Sequence, residues 1–184
     1  MSVDWDHVAR RIRVPMGFVF AFVFVLLARP TLVSMMYSLL LVVPGLLLRA
    51  YASGYVKKNA ELTTTGPYAY TRNPLYLGSM LMAFGFAAAS RSLLITLLLV
   101  LLFAVIYLPV IRAEETFLRK TFAGFDAYAA SVPRILPRLR PAHPGQNGSG
   151  AFSFSLYRKH REYNALMGAA ALYAVLALRV LYFH

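Results

Sequence analysis

Apolar residues in this chain fall into five long runs separated by polar, mostly basic stretches, two of them long. The runs cover residues 14–28, 31–55, 74–89, 93–111 and 165–183. Several approach the roughly 20 apolar residues that span a bilayer core as a helix. The first is short: at 1.5 Å per residue it covers about 23 Å, so it must borrow from its flanks or tilt little. Pro44-Gly45 interrupts the second run and predicts a kink there. Only Ser90-Arg91-Ser92 separates the third and fourth runs, which predicts a tight antiparallel hairpin. The fourth run continues in helical pattern through Lys120. Before the first run, residues 4–13 predict a short interfacial helix, with Trp5, Val8 and Ile12 on one face and Arg10, Arg11 and Arg13 beside it. The expected fold is therefore all-α: a polytopic helical membrane protein with about five transmembrane helices.

Two polar stretches remain, residues 55–73 and 121–162. Residues 137–150 are rich in proline and glycine and read as a linker. Phe152, Phe154 and Leu156, followed by Arg158, Lys159 and Arg161, read as a second membrane-surface segment. No internal repeat is visible, and 184 residues suit one domain. The expected organisation is a single membrane domain over 1–184. It comprises an interfacial helix at 1–13, four spans within 14–111, a helix extension and linker at 112–162, and a fifth span at 163–184.

Composition sharpens this picture. The chain is 59% hydrophobic, against about 45–50% for ordinary soluble domains. Its formal net charge of +12 would also suit nucleic acid. The basic residues, however, lie in the loops between apolar runs, where topology determinants lie, and nucleic acid is not expected as a partner. Five spans place sixteen of the nineteen Lys and Arg residues on one side and only Arg29, Arg91 and Arg179 on the other. That bias predicts a cytoplasmic N-terminus and cytoplasmic large loops. Four spans, with the fifth run lying at the interface, are the alternative. There is no cysteine, so thiolate chemistry and disulfides are excluded. His7, His143, His160 and His184 lack metal-ligand spacing, and no metal site is expected. A cleavable signal peptide is not expected either, because Arg29-Pro30 follows the first run where small residues would be required.

The candidate chemistry sits at two places. The first is Thr63-Thr64-Thr65-Gly66-Pro67-Tyr68, continuing through Tyr70, Arg72, Asn73, Pro74 and Tyr76. Gly-Pro forces a turn, Pro74 suits the first turn of a helix and Asn73 is a good N-cap. A capped start of a membrane helix accounts for the pattern. So does an aromatic, donor-rich place for an anionic or nucleoside-like ligand. The second place is Glu114-Glu115. Adjacent helical residues point about 100° apart, so at most one faces the interior. Carboxylates this close to an apolar span are costly unless satisfied; Arg112 and Arg119 are ready partners on a solvated face.

Together these stretches resemble the isoprenylcysteine carboxyl methyltransferase and phospholipid methyltransferase family of integral membrane enzymes. The family signature reads G-x-Y-x-x-x-R-H-P-x-Y-x-G, then E-E-x-x-L, then Y-x-x-x-V-P. Here Leu62-Thr63, Gly66, Tyr68, Arg72, Pro74, Tyr76 and Gly78 match the first element. Glu114-Glu115 with Leu118 match the second, and Tyr128 with Val132-Pro133-Arg134 the third. The resemblance covers about residues 62–137. It implies a methyltransferase that takes S-adenosylmethionine, releases S-adenosylhomocysteine and binds both in a pocket at the cytoplasmic face. Leu62, Thr63, Tyr68, Asn73, Pro74, Leu75, Tyr76 and Glu114 would line that pocket, with Arg72, Gly78 and Glu115 in support. Asn73 stands where the family usually has histidine; an amide still donates a hydrogen bond but neither becomes a cation nor acts as a general base. No catalytic residue is assigned. The implied substrate is amphipathic, an isoprenylcysteine-type carboxylate or a phospholipid amine, with its tail in lipid and an anionic head held by Arg112 and Arg134. A reductase-like relative using a nicotinamide cofactor, and a non-catalytic membrane scaffold, are the alternatives.

Overall fold

The computed structural model describes residues 5–57, 60–142 and 151–182. The expectations for Lys58, for residues 143–150 of the Pro/Gly-rich stretch and for His184 concern residues outside these, as do those for the side chains of Trp5, Arg10 and Arg13. The fold is all-helical, with 75% helix and no strand among the described residues. The helices are α1 (Trp5–Leu27), α2 (Leu32–Ser53), α3 (Pro74–Ser90), α4 (Leu93–Leu102), α5 (Leu108–Thr121), α6 (Phe125–Ser131), α7 (Phe154–Lys159) and α8 (Tyr163–Tyr182). Among the described residues, three stretches are long and apolar enough to cross a membrane: Leu32–Ser53, Leu93–Thr121 and Tyr163–Tyr182. Val14–Leu27 and Pro74–Ser90 are shorter apolar helices.

Two boundaries differ from the sequence reading. The interfacial helix and the first apolar run are one helix, α1, with Pro15 inside it. A change in side-chain polarity does not break backbone hydrogen bonding. The fourth run passes through a π-helical turn, Phe103–Tyr107, between α4 and α5. Pro109 supplies a cause: it has no N–H to give the carbonyl of Val105, and its ring crowds that carbonyl, which a wider turn relieves.

The chain forms two compact units. The first contains Met1–Val42, Ala83–Phe117 and Ala170–His184; the second contains Val43–Met82 and Leu118–Ala169. Helices α2, α3, α5 and α8 contribute to both. Within the first, α1 packs on α4 and the π turn. Phe24 meets Phe86 edge-on, and Phe86 meets Tyr173 at 5.0 Å between centroids. Ser38 Oγ donates to the carbonyl of Met35, so the 2.6 Å contact with Tyr173 has the phenol as donor. Arg179 donates to the carbonyls of Val25 and Leu26, satisfying groups that the end of α1 leaves open. The predicted hairpin turn is present: Arg91 takes a left-handed φ of 54°, and Ser92 Oγ accepts from the amide of Ile95 to cap α4.

Candidate functional site

The signature loop lies in the second unit. Gly66 opens a 3-10 turn, Gly66–Ala69, with φ +58°. A side chain there would be strained by that φ and would meet the ring of Tyr55 at 2.6 Å. The Tyr55 hydroxyl bonds that of Tyr51 at 2.9 Å. That bond and partial burial push the pKa of Tyr55, past the end of α2, up to about 12. Pro67, Tyr68 and Ala69 are buried, Tyr70 is exposed and Tyr76 half-buried. The three tyrosines therefore differ in burial.

What holds this loop is the third signature element, some sixty residues later in sequence. The Tyr128 hydroxyl donates to the carbonyl of Tyr68 at 2.8 Å. Arg72 gives its amide to the carbonyl of Pro133 (2.9 Å) and a guanidinium N–H to that of Ala129 (3.0 Å). Thr71 Oγ1 donates to the carbonyl of Ile135 at 2.9 Å. Asn73 Nδ2 donates to the carbonyl of Arg134 at 3.0 Å. Beneath them, Phe125, Tyr128 and Val132 form a buried cluster against which Leu62, Leu118, Ala129 and Ala142 pack. Phe125 and Tyr128 are the i and i+3 positions of one face of α6, and Val132, in extended conformation just past its end, continues the i+7 spacing. The same spacing would have revealed α6, which lies inside a stretch read as loop.

Gly78 also has a geometric role. A Cβ there would lie 2.6 Å from Arg49 Cγ and 2.8 Å from the carbonyl of Gly45, and one at Gly45 would lie 2.7 Å from the carbonyl of Gly78. The two glycines let α2 and α3 cross with their backbones nearly touching. Beside this crossing, Arg49 forks onto Glu162, with Nη2 2.8 Å from Oε2 and Nε 3.1 Å from the same oxygen. Its Nη1 donates to the Leu75 carbonyl at 3.2 Å and to the Ser79 hydroxyl. One guanidinium thus ties α2, the first turns of α3 and the residue before α8. The sequence reading counted Arg49 only as a topology charge and did not single out Glu162. A pair 113 residues apart leaves no local pattern to find.

The remaining expected residues divide between the units. Leu62, Thr63, Tyr68, Arg72, Asn73, Pro74, Leu75, Tyr76, Gly78 and Arg134 belong to the second; Arg112, Glu114 and Glu115 belong to the first. In α5, Arg112 is exposed and Glu114 half-buried, whereas Glu115 is only 6% exposed. One glutamate of the pair is therefore turned inward, and it is the one given the supporting role. Among the described residues, no group of three His, Cys, Asp or Glu side chains is placed to hold a metal ion.

S-adenosylmethionine carries an ammonium, a carboxylate and ribose hydroxyls, all needing polar partners. Thr63 offers such a partner at the expected place: its Oγ1 is buried and meets no hydrogen-bonding group among the described residues. Buried hydroxyls without partners are rare, and each requires an explanation. A polar ligand atom at Thr63 would supply one, and in that respect the residue fits the cofactor.

Comparison with known proteins agrees with the resemblance. A stretch of 89 residues, 48% of this chain, is 44% identical to the cobalt-zinc-cadmium resistance protein CzcN of Cupriavidus metallidurans, covering 40% of it. An 89-residue stretch is 42% identical to the nickel-cobalt-cadmium resistance protein NccN of Alcaligenes xylosoxydans xylosoxydans, covering 41% of it. The matched part thus spans about two fifths of the length of these curated relatives. No solved structure matches the chain. The family described as phospholipid methyltransferase matches residues 18–124, more than half of the sequence, and the chain belongs to that family of integral membrane methyltransferases.

Proposed function

We propose that this protein is an S-adenosylmethionine-dependent methyltransferase acting on a lipophilic or amphipathic acceptor at the membrane–cytoplasm boundary. It forms one membrane domain with its N-terminus and cofactor site cytoplasmic. Family membership supports the reaction class. The observation that carries the reading to this site is the buried, unpartnered hydroxyl of Thr63, three residues before the Gly66 turn of the signature. When bound, S-adenosylmethionine supplies an electrophilic methyl group. The chain's own task is alignment, which contributes about 7–11 kcal/mol where reacting groups are held in register. Thr63 hydrogen-bonds a polar group of the cofactor. The bonds from residues 128–135 hold the loop rigid around it, so little ordering remains to be done on binding. Glu114 holds the cofactor's polar end. Arg112 and Arg134 receive an anionic acceptor head, while the acceptor's tail stays in lipid.

The test is binding of S-adenosylhomocysteine by the purified protein, compared with a nicotinamide dinucleotide, followed by transfer of labelled methyl to extracted lipids and mass analysis of the product. Binding of the nicotinamide alone moves the chain to the reductase-like reading, and binding of neither to a scaffold. Reporter fusions after Arg13, Arg140 and His184 test orientation, with only the last expected outside. The named relatives favour a second, physiological reading, a contribution to metal resistance. Loss of the gene should then lower growth in cobalt, zinc, nickel or cadmium, and unchanged growth in all four would reject it.

A further inference from the structure

The segment after α6 presents a surface that the cofactor reading does not use. Residues 132–142 run Val-Pro-Arg-Ile-Leu-Pro-Arg-Leu-Arg-Pro-Ala. Their backbone is pinned: Val132 is buried, Arg138 gives its amide to the carbonyl of Tyr70 at 2.9 Å, and Ala142 gives its own to that of Ala69 at 3.0 Å. Between these anchors Leu136 is 78% and Leu139 100% exposed. Single exposed leucines are ordinary. Here two lie within four residues, on a segment too firmly held to tuck them away, with the exposed Arg138 and Arg140 beside them.

Two observations identify what covers them. The first is position: the segment bonds Ala69, Tyr70, Thr71 and Arg72, just ahead of Pro74, where the short apolar helix α3 begins. The second is charge. Between Asp126 and Glu162 the sequence has no acidic residue and six Lys or Arg. A surface combining exposed leucine with unopposed arginine complements the anionic boundary of a bilayer. We propose that residues 135–140 are an interfacial anchor: Leu136 and Leu139 enter the headgroup layer of an anionic lipid surface, and Arg140, with the part of the Arg138 guanidinium that does not hold the Ser131 carbonyl, meets its phosphates. Because the same segment is bonded to the signature loop, the anchor fixes that loop at the membrane surface. This holds whichever cofactor the loop takes.

The absence of cysteine allows the test in the whole protein. Leu139→Cys carries one environment-sensitive fluorophore; Ala127→Cys, exposed beside the ion pair of Arg119 and Asp126, is the control. Each is placed in nanodiscs of phosphatidylcholine, with or without phosphatidylglycerol. At position 139 the emission should shift to the blue and be quenched by lipids spin-labelled near the headgroup, more strongly with phosphatidylglycerol. At 127 the label should remain open to aqueous iodide. Each arginine near an anionic surface strengthens the attraction about fivefold, so Arg138→Gln with Arg140→Gln should remove the phosphatidylglycerol dependence. A label at 139 as open to iodide as that at 127, in both bilayers, overturns the anchor. So does a label shielded from iodide yet untouched by spin-labelled lipid, which assigns the surface to a protein. Lipid dependence that survives the double arginine variant overturns the phosphate contacts.

Discussion

The side-chain amide of Asn73 donates to the backbone carbonyl of Arg134 at 3.0 Å. This bond joins the residue for which the resemblance implies histidine to the Val-Pro-Arg element, and gives asparagine a purpose needing no imidazole. Substitution by leucine deletes the bond. The single proton of the Thr71 hydroxyl goes chiefly to the Ile135 carbonyl (2.9 Å) and reaches that of Arg134 only as the long 3.3 Å branch of a shared bond, so the loss should be at least that of one ordinary hydrogen bond, about 0.5–1.5 kcal/mol. It is read as a lower melting temperature in detergent. Asn73→His, which retains a donor, should lose less. Equal melting temperatures for wild type and Asn73→Leu would remove the bond from the account.

Thr63 yields the opposite signature. Its hydroxyl has no hydrogen-bonding partner among the described residues, so Thr63→Val, nearly equal in shape, should leave melting unchanged or raise it slightly. If the cofactor supplies the partner, the same variant should weaken S-adenosylhomocysteine by about 0.5–1.5 kcal/mol, roughly a factor of two to twelve in Kd. Calorimetric titration separates the outcomes. Lower stability with unchanged affinity would mean the hydroxyl serves the fold.

Gly78→Ala adds a methyl where Arg49 Cγ is 2.6 Å and the Gly45 carbonyl 2.8 Å away. The second neighbour is backbone and cannot swing aside. Overpacking of this kind costs about 1–3 kcal/mol. Gly168→Ala, with open space around its Cβ position, is the control and should gain slightly from helix propensity. Similar melting temperatures for the two variants would contradict the close crossing of α2 and α3.

Arg49 and Glu162 are a testable pair. Glu162→Gln keeps the shape but takes the charge from a fork in which Glu162 is only 10% exposed. Hydrogen bonds to charged groups contribute about 1.5–3 kcal/mol each, and the substitution should cost about that much. Arg49→Lys should cost a similar amount, because an ammonium cannot reproduce the planar fork. In a double-mutant cycle the two losses should fail to add. Additive losses would show that the residues do not act together.

Periodicity made the helices legible, and motif spacing the family, because both are local. Residues 74–89 and 93–111, with Ser90-Arg91-Ser92 between them, needed only hydropathy and turn chemistry to be read as a hairpin. The clasp from Tyr128, Pro133, Arg134 and Ile135 onto Tyr68–Asn73 was not legible. Its acceptors are backbone carbonyls, which carry no residue identity. The π turn was half-legible: Pro109 marks it, but neither proline nor glycine lies within Phe103–Tyr107. Phe152 belongs to a stretch that the sequence reads as a membrane-surface segment; it is 44% exposed, and its ring also seats over Gly54 and stacks on Tyr51, contacts that only the folded chain creates.

The glutamate pair is where sequence and structure assign weight differently, and it separates by experiment. The signature implied Glu114 as cofactor ligand with Glu115 in support. In α5 it is Glu115 that is buried, one turn after the buried Ile111, while Glu114 is half-exposed. A buried carboxylate is retained only where its hydrogen bonds offset the cost of leaving water. Glu115→Gln should therefore lower the melting temperature, by about 1–3 kcal/mol of stability, with or without cofactor. Glu114→Gln should leave melting of the free protein nearly unchanged and weaken S-adenosylhomocysteine by about 1.5–3 kcal/mol, the range for a hydrogen bond to a charged group. The two measurements form a crossed design, since each variant is silent where the other responds. If Glu115→Gln weakens binding and Glu114→Gln does not, the roles are exchanged and the buried carboxylate holds the cofactor. If neither alters binding, Glu114 returns to a solvated helix face beside Arg112, and Thr63 is left as the polar contact to test.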